Sequence, residues 1–142
     1  MEEFVIRFNE LLNEKGKIED LVKYLNLKSA STIYNWVNGD FMPSLPNLIK
    51  IANYFSCNLD YLLGLTDNHE TVNNSNLVPF NVRLREIIDK NRSSQYKLLK
   101  DDFISRGHLN SWLNLKRLPS TANAIKIANY FHESVDFVVG RV

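Results

Sequence analysis

An all-α fold of two tandem five-helix domains is what this sequence predicts, and three observations carry it. The chain repeats itself at a constant offset of 76 residues, with 18 identities in the 63 pairs formed by laying 4–66 over 80–142. The two halves are therefore expected to share one fold. Apolar residues recur at i, i+4, i+7 and i+8, the period of helices with one buried face. The runs Asp136–Val139 and Leu77–Val78 are too short to argue for a strand. The expected boundaries are a domain over 1–66, a polar linker over 67–79 and a second domain over 80–142.

Each domain opens with an amphipathic helix whose buried stripe is Phe4, Phe8, Leu11 and Leu12, or Phe80, Leu84, Ile87 and Ile88. Gly16 stops the first copy and Asn91 the second. A second helix is expected at 18–25 and 95–101, followed by Ser29 or Ser105 as N-cap of a third helix carrying Trp36 or Trp112. Asn38-Gly39 closes the third helix of the first domain. Pro43-Ser44 and Pro119-Ser120 make a turn and cap before helix four. Its expected buried face is Leu48, Ile49, Ala52 and Phe55, or Ala124, Ile125, Ala128 and Phe131. Asn58 or Ser134 caps a short fifth helix that ends at Gly64 or Gly140. The tryptophans read as core pillars, and the loop pair Phe41-Met42 as partly buried. Arg7 with Glu10 and Arg83 with Glu86 read most simply as i, i+3 surface pairs, the alternative being arginines that reach another helix.

Composition narrows the function. The chain of 142 residues is 44% apolar and 11% aromatic, enough for two small cores and too apolar for a disordered chain. No long apolar run appears and Met1-Glu2-Glu3 is acidic, so a cytoplasmic protein without a membrane span is expected. Cys57 is the single cysteine and reads as a buried filler. His69, His108 and His132 lack metal-ligand spacing, so no metal or other cofactor is expected. Neither paired carboxylates, nor a nucleophile with its base, nor a glycine-rich phosphate loop is present, so no catalytic residue is assigned and no enzyme is expected. The net charge of +1 hides an asymmetry: residues 1–66 carry −2, the linker −2 and residues 80–142 +5.

The remaining chemistry lies in helices two and three. The second domain runs from Ser94-Gln95 through Ser105-Arg106-Gly107-His108 and Ser111-Trp112 to Lys116-Arg117-Leu118-Pro119-Ser120. This resembles the helix-turn-helix of the lambda-repressor and Cro-like (XRE-type) family, with Ser-Gln, a turn, a Ser-capped recognition helix ending in Trp, and a loop closing on Pro-Ser. The resemblance covers both domains. Independently, a helix starting after Ser105 turns Leu109 and Trp112 inward and leaves a short polar face, as a major groove requires. Arg106 can fork onto a guanine edge, His108 and Ser111 can donate to bases, and Gly107 permits close approach. Asn114 completes that face. Gln95, Lys116 and Arg117 are expected on phosphates, where they supply register and salt-dependent affinity.

The first domain departs from the pattern. Its second helix starts Lys17-Ile18-Glu19-Asp20 without Ser-Gln, and its turn, Asn26-Leu27-Lys28-Ser29, is one residue longer. Its candidate contacts are Lys28, Ser31, Thr32, Asn35 and Asn38, while Asp40 and Phe41 stand where Lys116 and Arg117 stand in the second domain. An acid and a phenyl ring are poor phosphate ligands. The resemblance implies a bacterial or phage repressor that occupies double-stranded DNA at a promoter in the nucleoid. The linker, about 43 Å when fully extended, can bridge half-sites about 34 Å apart, and two different readers imply an asymmetric site. The alternative is a protein-interaction regulator, an antirepressor or a dimerisation module, in which the first domain or the whole chain binds a protein partner or a second copy of itself.

Overall fold

The computed structural model describes residues 2–72, 77–91, 104–114 and 117–142, and every regular element among them is a helix. The chain divides into two compact units, Met1–Asn73 and Asn74–Val142. None of the described helices is long and apolar enough to cross a membrane.

Unit one consists of α1 (Glu2–Lys15), α2 (Ile18–Tyr24), α3 (Ser31–Asn38), α4 (Leu45–Phe55) and α5 (Leu59–Leu62). Their spacing turns Phe4, Phe8 and Leu11 of α1 and Ile33 and Trp36 of α3 inward. Phe8 sits at the centre, stacked on Phe4 at 5.2 Å and meeting Trp36 and Phe55 edge-on at 6.2 and 6.4 Å. Such geometry adds to the burial of the rings. α1 packs on α3 and α5, α2 on α4, and α4 on α5.

Helix ends follow local chemistry. Gly39 closes α3 with φ 77°, a left-handed conformation that suits glycine. Ser44 Oγ accepts from Asn47 N at 3.4 Å to start α4, and Asn58 Oδ1 accepts from Tyr61 N at 2.6 Å to start α5. The expected cap at Ser29 is corrected. Helix α3 begins at Ser31 after Ala30, with no side-chain cap, and Ser29 Oγ bonds Ser31 Oγ at 2.6 Å instead. The expected face of helix four also shifts: Ile51 and Ile127 are fully buried while Ile49 and Ile125 are half-buried. Positions 48, 51, 52 and 55 share one stripe, and 49 falls at its edge.

Unit two contains α6 (Phe80–Lys90), α7 (Arg106–Asn114), α8 (Thr121–Phe131) and α9 (Val135–Val138). The helix expected at 95–101 lies outside the described residues. Ser105, Ser120 and Ser134 cap α7, α8 and α9, accepting from His108, Asn123 and Phe137 amides at 3.1, 3.1 and 3.0 Å. α6 packs on α7 and α9, and α8 on α9. Phe80 meets Trp112 edge-on at 6.1 Å.

Two arginines make equivalent long-range contacts 76 positions apart. Arg7 Nη1 donates to Tyr61 O at 2.7 Å and to Thr66 O, with its guanidinium 4.4 Å from the Tyr61 ring centre. Arg83 Nη1 donates to Phe137 O at 2.6 Å and Val142 O at 2.7 Å, with its guanidinium 4.0 Å from the Phe137 ring centre. Each arginine adds a second donor to a carbonyl of the last short helix that already accepts from the closing glycine, Gly64 N to Tyr61 O and Gly140 N to Phe137 O, both at 3.0 Å, and ties it to the residue two past that glycine. The surface-pair reading is thereby corrected. Arg7 pairs with Glu3 and Asp67 rather than Glu10, and Arg83 keeps Glu86 at 3.2 Å but is only 6% exposed. Phe41 departs from expectation in the other direction, standing 65% exposed. Unit two also buries an ion pair, Arg141 with Asp136, where unit one has Leu65 and Asp60.

Candidate nucleic-acid interface

In unit one, α2 and α3 meet through a corner built by three residues. Leu25 is buried and closes α2, Asn26 reverses the chain with φ 55°, and Leu27 N bonds back to Val22 O at 3.0 Å. With Ile33 and Trp36 holding α3 to the core, its opposite side is presented outward. Ser31, Asn38 and the corner residue Lys28 are exposed, and Thr32 and Asn35 are half-buried. Tyr34, not among the residues read from the sequence, is 51% exposed. Its surface lines a shallow cleft with Lys17, Ile18, Glu19 and Ala30. An aromatic at a position where the helical period demands solvent was the available signal.

In unit two, α7 is fixed by Leu109, Trp112 and Leu113. Arg106, Gly107, His108, Asn110 and Asn114 are exposed and Ser111 is half-buried. At about 100° per residue these positions cover an arc of about 200°, with Arg106 at one edge and His108 at the other. The predicted residues thus fall into two groups. His108, Ser111 and Arg117 line one cleft together with Ser120 and Asn123 at the start of α8. Arg106, Gly107 and Asn114 line a second concavity with Asn110 and Arg85. Ser120 and Asn123 were absent from the sequence-derived site. Ser120 reads from the sequence only as the cap of helix four, and Asn123, whose amide donates to that cap, is not singled out.

Local contacts set what each side chain can offer. The His108 ring lies parallel to the Trp112 indole, 5.5 Å between centroids and 9° between planes, which leaves its edge for hydrogen bonding. Asn114 Nδ2 donates to Asn110 Oδ1 at 2.5 Å. Among the described residues, and apart from the backbone of its own helix and its chain neighbours, no atom stands within 4 Å of where a Gly107 side chain would begin, so a ligand backbone can come close there. Arg117 is exposed, and its amide bonds Ser111 O at 3.3 Å, tying the loop to the helix end. Gln95 and Lys116 lie outside the described residues. Among the described residues no cluster of His, Cys, Asp or Glu can hold a metal ion.

A buried two-helix corner with an outward third helix is the geometry of a helix-turn-helix domain. Residues 10–62, most of unit one, match the Helix-turn-helix family model, the class of fold found in DNA-binding regulators. Neither the curated proteins nor the solved structures contain a match to the chain.

Proposed function

We propose that the chain is a sequence-specific DNA-binding transcriptional regulator of bacterial or phage repressor type, acting in the cytoplasm on operator DNA. Unit two is the principal reader and unit one the second. The observation that supports this most strongly is the exposed polar arc of α7, from Arg106 round to His108, continued by Arg117. The arc sits on a Trp-anchored helix equivalent to α3 of the unit that matches the helix-turn-helix family. Arg106 and His108, at opposite edges of the arc, address different base pairs, while Arg117 and the α8 start face phosphate. Binding, not catalysis, is the activity this surface chemistry supports.

The test is selection of bound sequences from a random duplex pool, with the intact chain beside Arg106→Ala and Asn35→Ala at one salt concentration. A two-part site is expected. Arg106→Ala relaxes one position by about 10- to 100-fold, and Asn35→Ala relaxes the other part. Enrichment of nothing at all would reject the proposal.

A second reading makes unit one a protein-contact module. It rests on exposed Phe41 next to exposed Asp40, an apolar and an acidic residue where unit two has Arg117 and Lys116, and on the exposure of Tyr34 on α3. Under that reading only Arg106→Ala changes the selected sequence, and α3 meets a protein partner or a second copy.

A further inference from the structure

Residues 66–70 form a strap on unit one, and Asn58 is its buried anchor. Asn58 is 7% exposed, and while its Oδ1 caps α5, its Nδ2 donates to Asn68 O at 2.8 Å and Glu70 O at 3.1 Å. The strap folds on itself through Asn68 N to Thr66 Oγ1 and Glu70 N to Asn68 Oδ1, at 3.2 and 2.9 Å. Arg7 holds its start at Thr66 and Asp67, and the His69 ring rests 4.2 Å from that of Tyr61. The counterpart of Asn58 in unit two is Ser134, which caps α9 equally well but carries no amide. Capping therefore does not require the Asn58 amide, and holding the strap does. On the other side, Val78 N donates to Gly140 O at 2.9 Å, which attaches position 78 to unit two.

From Glu70 to Val78 the chain makes eight peptide steps, which covalent geometry limits to about 26–29 Å whatever path it takes. We propose that Asn58 is a positioning residue that shortens the tether between the units and so sets the spacing at which both engage DNA. The proposal rests on the reading that both units contact DNA. A tethered pair is effective only over separations its tether spans. Freeing the strap back to Asp67, where Arg7 still holds, adds three residues and about 10 Å. At about 3.4 Å per base pair that is about three base pairs of additional spacing.

The test uses the full chain with one dye at exposed Asn13 and one at exposed Asn129, read by single-molecule energy transfer. Wild type is compared with Asn58→Ser and Asn58→Asp, which both keep a capping oxygen, and with a chain carrying four added Gly/Ser residues after Asn74. The long end of the distance distribution is expected to extend by about 10 Å in both Asn58 variants and by about 13–14 Å in the insertion variant. In spacer-varied site selection the Asn58 variants accept spacings up to about three base pairs longer with unchanged base preferences. The proposal is overturned if the insertion extends the distribution and neither Asn58 variant does. It is equally overturned if no variant, insertion included, extends it. Absence of any two-part site in every variant removes the two-reader function, while the distances still decide whether Asn58 sets the tether.

Discussion

Gly140→Ala is expected to destabilise unit two far more than Gly39→Ala destabilises unit one, although both glycines have left-handed φ values, 85° and 77°. At Gly39 the nearest atom to an added Cβ is Val5 Cγ2 at 3.4 Å, an ordinary contact. Only backbone strain remains there, about 1 kcal/mol after allowing for the stiffer unfolded chain. At Gly140 the added carbon would stand 1.8 Å from Val78 O and 2.8 Å from Val78 C. Backbone cannot yield as a side-chain tip does, so the segment must retreat by more than 1 Å and give up the 2.9 Å bond from Val78 N to Gly140 O. Losing that bond adds about 1 kcal/mol and the displaced packing a similar amount, for a total of about 3 kcal/mol. For a domain of this size the melting shift is about 5 °C for Gly39→Ala and at least about 12 °C for Gly140→Ala. Thermal unfolding followed by hydrogen exchange at α4 and α8 amides assigns each loss to its unit. Equal losses in the two variants would mean that Val78 does not lie against Gly140 in solution, and the tether would lack its second anchor.

Three further outcomes follow from particular contacts. Arg141→Leu, which copies the residue at 65, removes the buried cation paired with Asp136, itself 3% exposed, and is expected to cost unit two about 3 kcal/mol in denaturant unfolding. Burial pushes the Tyr61 hydroxyl above its usual range, Arg7 opposes this, and Glu10, Glu14 and Cys57 reinforce it. The unfolded chain therefore ionises first, so the stability due to the neutral phenol is complete below about pH 10 and declines as pH rises past it. Tyr61→Phe, the residue found at 137, is expected to flatten that alkaline decline in a melting series from about pH 8 to about pH 11. Arg117→Ala is expected to weaken binding to all duplexes alike and to lower the slope of log affinity against log salt by about 0.9, measured by fluorescence anisotropy.

What the sequence reveals and what it hides divide along the range of the interactions. Caps at Ser44, Ser105, Ser120, Asn58 and Ser134 were legible because a capping oxygen reaches only three residues along the chain. Ser29 misled because Asn26 turns the chain early and Ala30 already has a helical backbone, so helix α3 starts without a side-chain cap. Arg7 and Arg83 were misread because the carbonyls they bond lie 54 and 59 positions away, at a separation no local pattern encodes. Ile49 and Ile51 differ by about 200° on a helix, yet both are apolar, so only packing distinguishes the buried one. In the candidate interface, helical period was enough to find the exposed residues of α7. Their division between two concavities depends on where α8 and α6 meet that helix, through Ser120 and Asn123 on one side and Arg85 on the other.

The most direct test of the account is the affinity of the intact chain for its selected duplex against a scrambled duplex of equal length at one fixed, physiological salt concentration. Specific recognition predicts a ratio of at least about 10³ that falls by about 10- to 100-fold in Arg106→Ala. A ratio near one, unchanged in Arg106→Ala, would contradict the claim that α7 reads DNA sequence.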